Sequence, residues 1–466
     1  MVVARQRRRQ TEPMRVVLLG ELDAGSCGEL RRAQVLARRL MLSDARDDEA
    51  RAALALAGAL LAVDCGLPLT KDVVDVASGT AEMIGGDERA RSDAASARAL
   101  LRVASGEPTA AIAEAEAVVA RAPGLPQPLY ALARARARAG DLVGASRALE
   151  AAMVIGPAFL PARLAWAEVR LDLGDPGTAA ETLRALPNPD LRARLLLDEV
   201  ERARGTTGAG GAAAAELDAA CDPSRLTDTL EVAACALRDA TRARVAGDRT
   251  RARASAVAAA EAAPTDPRLL AEIAQLLAEL GAVDRAAALV THAERLAPPQ
   301  MPALAWAAFG VALGRGRTPP QPASPFPPAP EGPLLEVRAA LAAGGVGALA
   351  AVTTHAGGAT NGGDPDRDAL ARLGEPGSGA QAAPPGAGAQ RDDEPLRAYV
   401  DGLRARLAGN LPLAAERFSH ALAGHGDACR AAGEYGAILR ALKRKPDARV
   451  FSALRAENAG CVNLPR

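Results

Sequence analysis

Three glycine-acid pairs, Gly106-Glu107, Gly140-Asp141 and Gly174-Asp175, follow one another at a spacing of 34 residues. A fixed period of this length marks a chain of stacked units, each too small to bury its own apolar face alone. Small residues keep register with the glycines: Ala99, Ala133 and Ala167 stand seven positions before, and Ala111, Ala145 and Ala179 five positions after. A second block repeats the pattern in its own phase, with Gly247-Asp248 and Gly281 again 34 apart, Ala240 and Ala274 before them, and Ala252 and Ala286 after. Pro123, Pro157, Pro264 and Pro298 each stand seventeen residues after a turn glycine. A third copy contains Gly402, Gly409-Asn410, Ala414, Phe418 and Ala421; its successor keeps Gly436 and Ala448 but has Lys443 at the turn.

The spacing is similar to that of the tetratricopeptide repeat family, which implies that each unit is two antiparallel helices. The glycine supplies the conformation that ends the first helix, the paired small residues let the second approach closely, and the proline stops it. Aromatic residues make up only 2% of the chain, so the core must be packed with small and aliphatic side chains. The pattern resembles the tetratricopeptide repeat family over about residues 88–316 and 395–457. The resemblance implies an all-α fold, an α-solenoid of antiparallel helix pairs wound as a right-handed superhelix and interrupted by a Pro/Gly-rich linker.

Five segments are expected. Residues 1–27 read as a poorly ordered extension, residues 28–87 as helical pairs without the full signature, and residues 88–316 as the repeat array. The array slips phase between Pro187 and Pro223, where the turn is stretched into Gly205–Gly211. Residues 317–394 read as a Pro/Gly/Ala-rich linker with a short helical hairpin at 334–355, a joint that lets the last repeats (395–466) move.

Lys+Arg and Asp+Glu balance at 56 each, which argues against a nucleic-acid partner. The cations are almost all arginine; with abundant Ala, Gly and Pro, this composition points to a GC-rich bacterial genome. The apolar runs Ala52–Val63 and Ala303–Leu313 are shorter than the roughly 18 to 20 residues of a membrane helix. Six scattered cysteines without a C-x-x-C pair suggest reduced, buried thiols and a cytoplasmic protein. An exported or envelope-associated alternative rests on Arg5–Arg9, the apolar Val16–Leu19 and a crude lipobox, Ala24-Gly25-Ser26-Cys27.

No motif points to catalysis. Gly20 to Ser26 mimics a phosphate loop, but Ser26 occupies the lysine position, so the sequence reads as a plain loop leading into a helix. His420, His425 and Cys429 are close in sequence, but the two histidines fall on different helix faces and have no fourth ligand nearby. No cofactor or metal is expected, and the chain reads as non-enzymatic.

In the repeat family, the groove is lined about ten, six, and three or two positions before each turn glycine. Carried over, this selects Tyr130, Arg134, Ala137 and Arg138; Leu164, Glu168, Leu171 and Asp172; Leu237, Thr241 and Arg244; Ala271, Gln275 and Glu279; and Tyr399, Leu403 and Arg406. The Asn and Lys that clamp chaperone carboxyl termini in some family members are missing at these positions. Tyr130 and Tyr399 are read as exposed anchors or core aromatics, and the arginine rows as solvated faces or, more sharply, a groove for an acidic peptide. The function expected is a scaffold or adaptor binding a protein or peptide. The alternatives are an envelope-associated assembly factor with lipid on Cys27, or the regulatory subunit of a separate enzyme.

Overall fold

The computed structural model describes residues 2–322 except 68, 80–86, 188, 205–211, 227, 247, 263–265 and 298–300. It also describes 335, 338–342, 394–422, 428–445, 451, 452 and 454. Among these residues, every regular element is a helix. The amino-terminal part runs α1 (Val2–Ala24), α2 (Cys27–Ser43), α3 (Asp48–Asp64) and α4 (Lys71–Gly79). The array continues with α5 (Glu88–Ala104), α6 (Pro108–Arg121), α7 (Pro126–Arg138), α8 (Leu142–Ile155), α9 (Leu160–Asp172) and α10 (Pro176–Arg184). The out-of-phase unit is α11 (Leu191–Ala203) and α12 (Ala212–Ala220). Then come α13 (Thr229–Val245), α14 (Arg249–Ala262), α15 (Pro267–Glu279), α16 (Val283–Ala293) and α17 (Pro302–Gly314). The carboxy-terminal helices are α18 (Glu394–Leu407), α19 (Leu411–Ala421) and α20 (Ala428–Ala441).

The turns show why the chain breaks where it does. Gly106, Gly140, Gly174, Gly281 and Gly409 all have φ between +74° and +89°, the left-handed region in which a side chain is strained. The residue after each glycine returns its amide to a carbonyl five positions back, as in Asp141 to Arg136 and Asn410 to Ala405 (2.9 Å each), so the helix end is closed by its own backbone. Asp141, Asp175, Asp248 and Asn410 then cap the next helix through side-chain oxygens that accept from backbone amides. At Lys443 the same turn forms with φ +53°, the only positive φ outside glycine among the described residues.

The small residues lie where the helices touch. Ala99, Ala133, Ala167, Ala240 and Ala274, and their partners Ala111, Ala145, Ala179, Ala252, Ala286 and Ala414, are all 0% exposed. At Gly402 even a methyl group would meet the Phe418 ring at 2.7 Å. First helices stack on one another in the order α5, α7, α9, α11, α13, α15, α17, and second helices pack outside them. Gly247, Pro264, Pro298 and Ala448 lie outside the described residues.

Three expectations need correction. The amino-terminal segment is α1, whose Leu18 and Leu22 are buried and whose Arg15 pairs with Asp47. The apolar i, i+4 pair gives this helix a core-facing stripe despite the charges around it. The cysteines among the described residues are oxidised: Cys27 is bonded to Cys65 and Cys221 to Cys235, with Cα atoms 5.9 and 5.5 Å apart, and Cys429 is also disulfide-bonded. Pairing could not be read from the spacing because the bridges join neighbours in space; the second staples the short α12 to α13 inside the out-of-phase unit. Finally, the carboxy-terminal helices rest against α17: Arg430 donates to the Arg317 carbonyl, Leu335 packs on Trp306 and Phe309, and Leu341 joins the Tyr399 cluster. Most of 317–394, including 343–355 of the expected hairpin, lies outside the described residues.

The array also curls back on itself. Arg31 on α2 pairs with Asp228 before α13, Thr229 donates to the Gly66 carbonyl at 3.1 Å, and Gly106 abuts the Arg295 carbonyl, 3.1 Å from where a Cβ would stand. The first helices therefore surround an interior.

A left-handed residue other than glycine costs about 1–2 kcal/mol, partly offset by the greater freedom of unfolded glycine. Lys443→Gly should accordingly stabilise the protein by about 1 kcal/mol, read as a higher urea midpoint at unchanged slope; an unchanged or lower midpoint would refute this account of the degenerate turn.

Candidate functional site

A cavity of about 250 Å³ occupies the interior, walled by the inner faces of α7, α9, α11, α13, α15 and α17 and reached by Cys27 of α2 and Val103 of α5. Helical periodicity puts the polar groups there. Arg134 and Arg138 are four apart on α7, as are Glu168 and Asp172 on α9, and Arg268, Glu272 and Gln275 form one stripe on α15. The intervening Arg136 turns away to Glu116.

Two charge clusters dominate the wall. In the first, Arg134 bridges Asp64 (2.6 Å) and Glu168 (2.7 Å), while Arg192 of α11 reaches Glu168 at 2.9 Å and Asp64 at 3.7 Å. Burial works against the Glu168 carboxylate, yet Arg134, Arg192 and Arg268 hold it well below the usual range. In the second, Arg268 meets Glu199 at 2.9 Å, Glu272 at 3.1 Å and Asp172 at 3.6 Å. Burial pushes Asp172 up to about 6 against the pull of Arg268, with Glu199 and Glu168 adding to the rise. Glu272 is raised well above its ordinary value by burial and by Glu199, against Arg268.

Arg138 differs from both clusters. Among the described residues, its guanidinium has no ion pair or hydrogen bond, although it lines the cavity. Burial pulls it down to about 10, against the nearby Asp266 and helped by Arg134, so it stays charged at neutral pH. Gln275 is 6% exposed and also lines the cavity, with no hydrogen-bond partner for Nε2.

The groove positions separate cleanly. Arg134, Ala137, Arg138, Glu168, Leu171, Asp172, Leu237, Thr241 and Gln275 all line the cavity. Tyr130 does not. It is 0% exposed, donates to Asp64 and stands edge-on to Phe159 at 5.5 Å, so the anchor reading gives way to a core aromatic. Tyr399 is likewise buried, 5.9 Å from the Phe418 ring. Arg244 lies 3.9 Å from Glu279 in a buried pair between α13 and α15, and Arg406 pairs with Glu434 on the carboxy-terminal helices; neither reaches the cavity. Sequence reasoning missed Asp64, Arg192, Glu199, Arg268 and Glu272. The first lies before the repeats, and Arg192 and Glu199 fall in the unit without phase. Only the i, i+4, i+7 stripe from Arg268 to Gln275 was there to be found.

The remaining motifs resolve structurally. Gly20 is inside α1, Gly25 ends that helix with φ +69°, and Ser26 caps α2 in a reciprocal arrangement with Glu29. Cys429 is disulfide-bonded and is no thiolate ligand; His425 lies outside the described residues.

No protein-family model and no curated protein matches the chain. Among solved structures it is similar to a Rap protein complexed with Competence and Sporulation Factor, at 11% identity and a TM-score of 0.36, covering 96% of this chain and 99% of that one. It is also similar to Naa15/Naa10 bound to HypK-THB, at 12% identity and a TM-score of 0.26, covering 97% of this chain and spanning 64% of that one. Superposition this loose adds nothing to the helix pairing already described.

Proposed function

We propose that this chain is a non-catalytic scaffold of tetratricopeptide type that holds an extended segment of a partner protein inside its superhelix. One observation carries the reading. Two polar side chains of the cavity wall have no protein partner among the described residues: the partly exposed Arg138 guanidinium, and Gln275 Nε2, which is buried without one. A buried donor left unpaired costs about 1–3 kcal/mol, and a peptide supplies carbonyl acceptors at regular intervals. The rest of the wall is mostly aliphatic side chains and ion pairs, with Trp306, Thr241 and Glu231 among them, surfaces suited to holding a chain. Arg138 is the residue to test, because replacing it breaks no ion pair.

The disulfides favour the second of the two compartments expected from the sequence. Such bonds form and persist in oxidising surroundings, so an exported or envelope-associated protein accommodates Cys27–Cys65 and Cys221–Cys235 better than a cytoplasmic one. Lipid on Cys27 is not part of this reading, since its sulfur is bonded to Cys65 and α1 before it packs into the core. Alkylation of whole cells followed by mass measurement of the denatured protein decides the matter: no label before reduction is expected, and full labelling without reductant would overturn the exported reading.

For the groove, a random peptide display library panned on the full-length chain should yield binders. Their affinity should fall at least tenfold in Arg138→Ala while its circular dichroism stays that of wild type. Binders indifferent to Arg138→Ala, or no binders at all, would count against the cavity as the binding site.

A further inference from the structure

We propose that the segment held in the cavity carries an arginine or lysine whose side chain enters among Asp172, Glu199 and Glu272. The inference rests on the peptide-groove reading and adds the chemistry of its ligand. It starts from a mismatch of charge. Arg134 and Arg192 are matched two for two by Asp64 and Glu168. Arg268 alone serves Asp172, Glu199 and Glu272, which project from three different helices, α9, α11 and α15, onto one guanidinium. Two carboxylates are therefore left over on a wall that is only partly open to solvent, with Asp172 23%, Glu199 32% and Glu272 30% exposed. Arg138 does not make up the difference, because the carboxylate it feels most is Asp266 at the cap of α15.

Burial and the crowding of carboxylates strengthen proton binding at Asp172 and Glu272. Asp172 faces Arg134 of α7, Glu168 of its own helix, Glu199 of α11 and Arg268 of α15, and the balance leaves it titrating near 6. Glu272 faces Glu199, Arg268, Asp172 and Asp266 and is raised further. A ligand cation would take the place of those protons. Gln275 points to the same ligand independently. It lies three residues along α15 from Glu272, is 6% exposed on the cavity wall, and its Nε2 is buried without a hydrogen-bond partner. A carbonyl acceptor beside a cationic side chain is what an extended basic peptide offers. Leu195, Leu276 and Met301 in the same wall suit the aliphatic stem of such a side chain. A bare metal ion fits less well: the carboxylates surround Arg268 instead of a common point, and among the described residues no group of three or more His, Cys, Asp or Glu is placed to hold a metal. An acidic segment, the sharper expectation from the arginine rows, would add negative charge beside Asp172, Glu199 and Glu272, which already share one arginine.

The test uses the full-length chain and the same random peptide library. The enriched sequences should share an arginine or lysine. Changing that residue to citrulline or norleucine should weaken binding to the wild-type protein at least tenfold, and the Glu199→Gln/Glu272→Gln variant should lose a similar factor for the unmodified peptide. Because Asp172 must be ionised to pair with the cation, affinity should fall by about tenfold between pH 7.5 and pH 5. Enriched sequences dominated by acidic residues, or with no shared basic residue, would overturn the proposal while leaving the groove intact; a library that enriches nothing removes the groove reading and the proposal together. Circular dichroism and melting establish that the double variant folds, and the citrulline peptide on the wild-type protein tests the charge requirement without any variant.

Discussion

Alanine methyl groups set the distance between the two helices of each repeat, and the rest of the molecule inherits that distance. With both contacting positions reduced to a methyl and no exposure left at either, neighbouring backbones come as close as helices can. A chain with few aromatic side chains has no other way to fill its interior densely, which explains why the pattern recurs through blocks whose phase has slipped. The turn glycines serve the same end, since a helix that stops in the left-handed conformation sends its successor straight back along its own flank.

Tight pairing has a second consequence. Stacked first helices curve, and here the curve is enough for α2 and the loop after α3 to touch the start of α13 through Arg31–Asp228 and Thr229–Gly66. The inner stripes of α7, α9, α11, α13 and α15 therefore face one another across a small volume. Side chains that would be solvated on an open array become partners. Arg134 is held by two carboxylates from different helices, and three carboxylates crowd around Arg268. The unequal matching of these charges, more than the shape of the cavity, is the basis of the ligand we propose for the interior.

What the sequence disclosed follows from the same physics. Period and register depend on contacts between residues of neighbouring helices, so Gly140, Ala133 and Ala145 declare themselves, and the groove positions Arg134, Arg138, Glu168 and Gln275 follow by counting back from the turns. Long-range closure leaves no such trace. Asp64 and Tyr130 meet across 66 residues, Cys27 finds Cys65 across 38, and neither separation has a pattern to recognise. The tyrosines at groove spacing were ambiguous because a helix position faces inward equally well in a groove or a core; a carboxylate from outside the repeats settled Tyr130 as core.

The central claim, that methyl-sized contacts hold the helix pairs together, is tested most directly by enlarging them one at a time. Ala133→Leu, Ala167→Leu and Ala274→Leu should each destabilise the protein by about 1–3 kcal/mol in urea unfolding, because the added atoms force the paired helices apart. Ala117→Leu, on the exposed face of α6, should stay within about 0.5 kcal/mol of wild type. Equal effects at the buried and exposed sites, or stabilisation at the buried ones, would contradict the account.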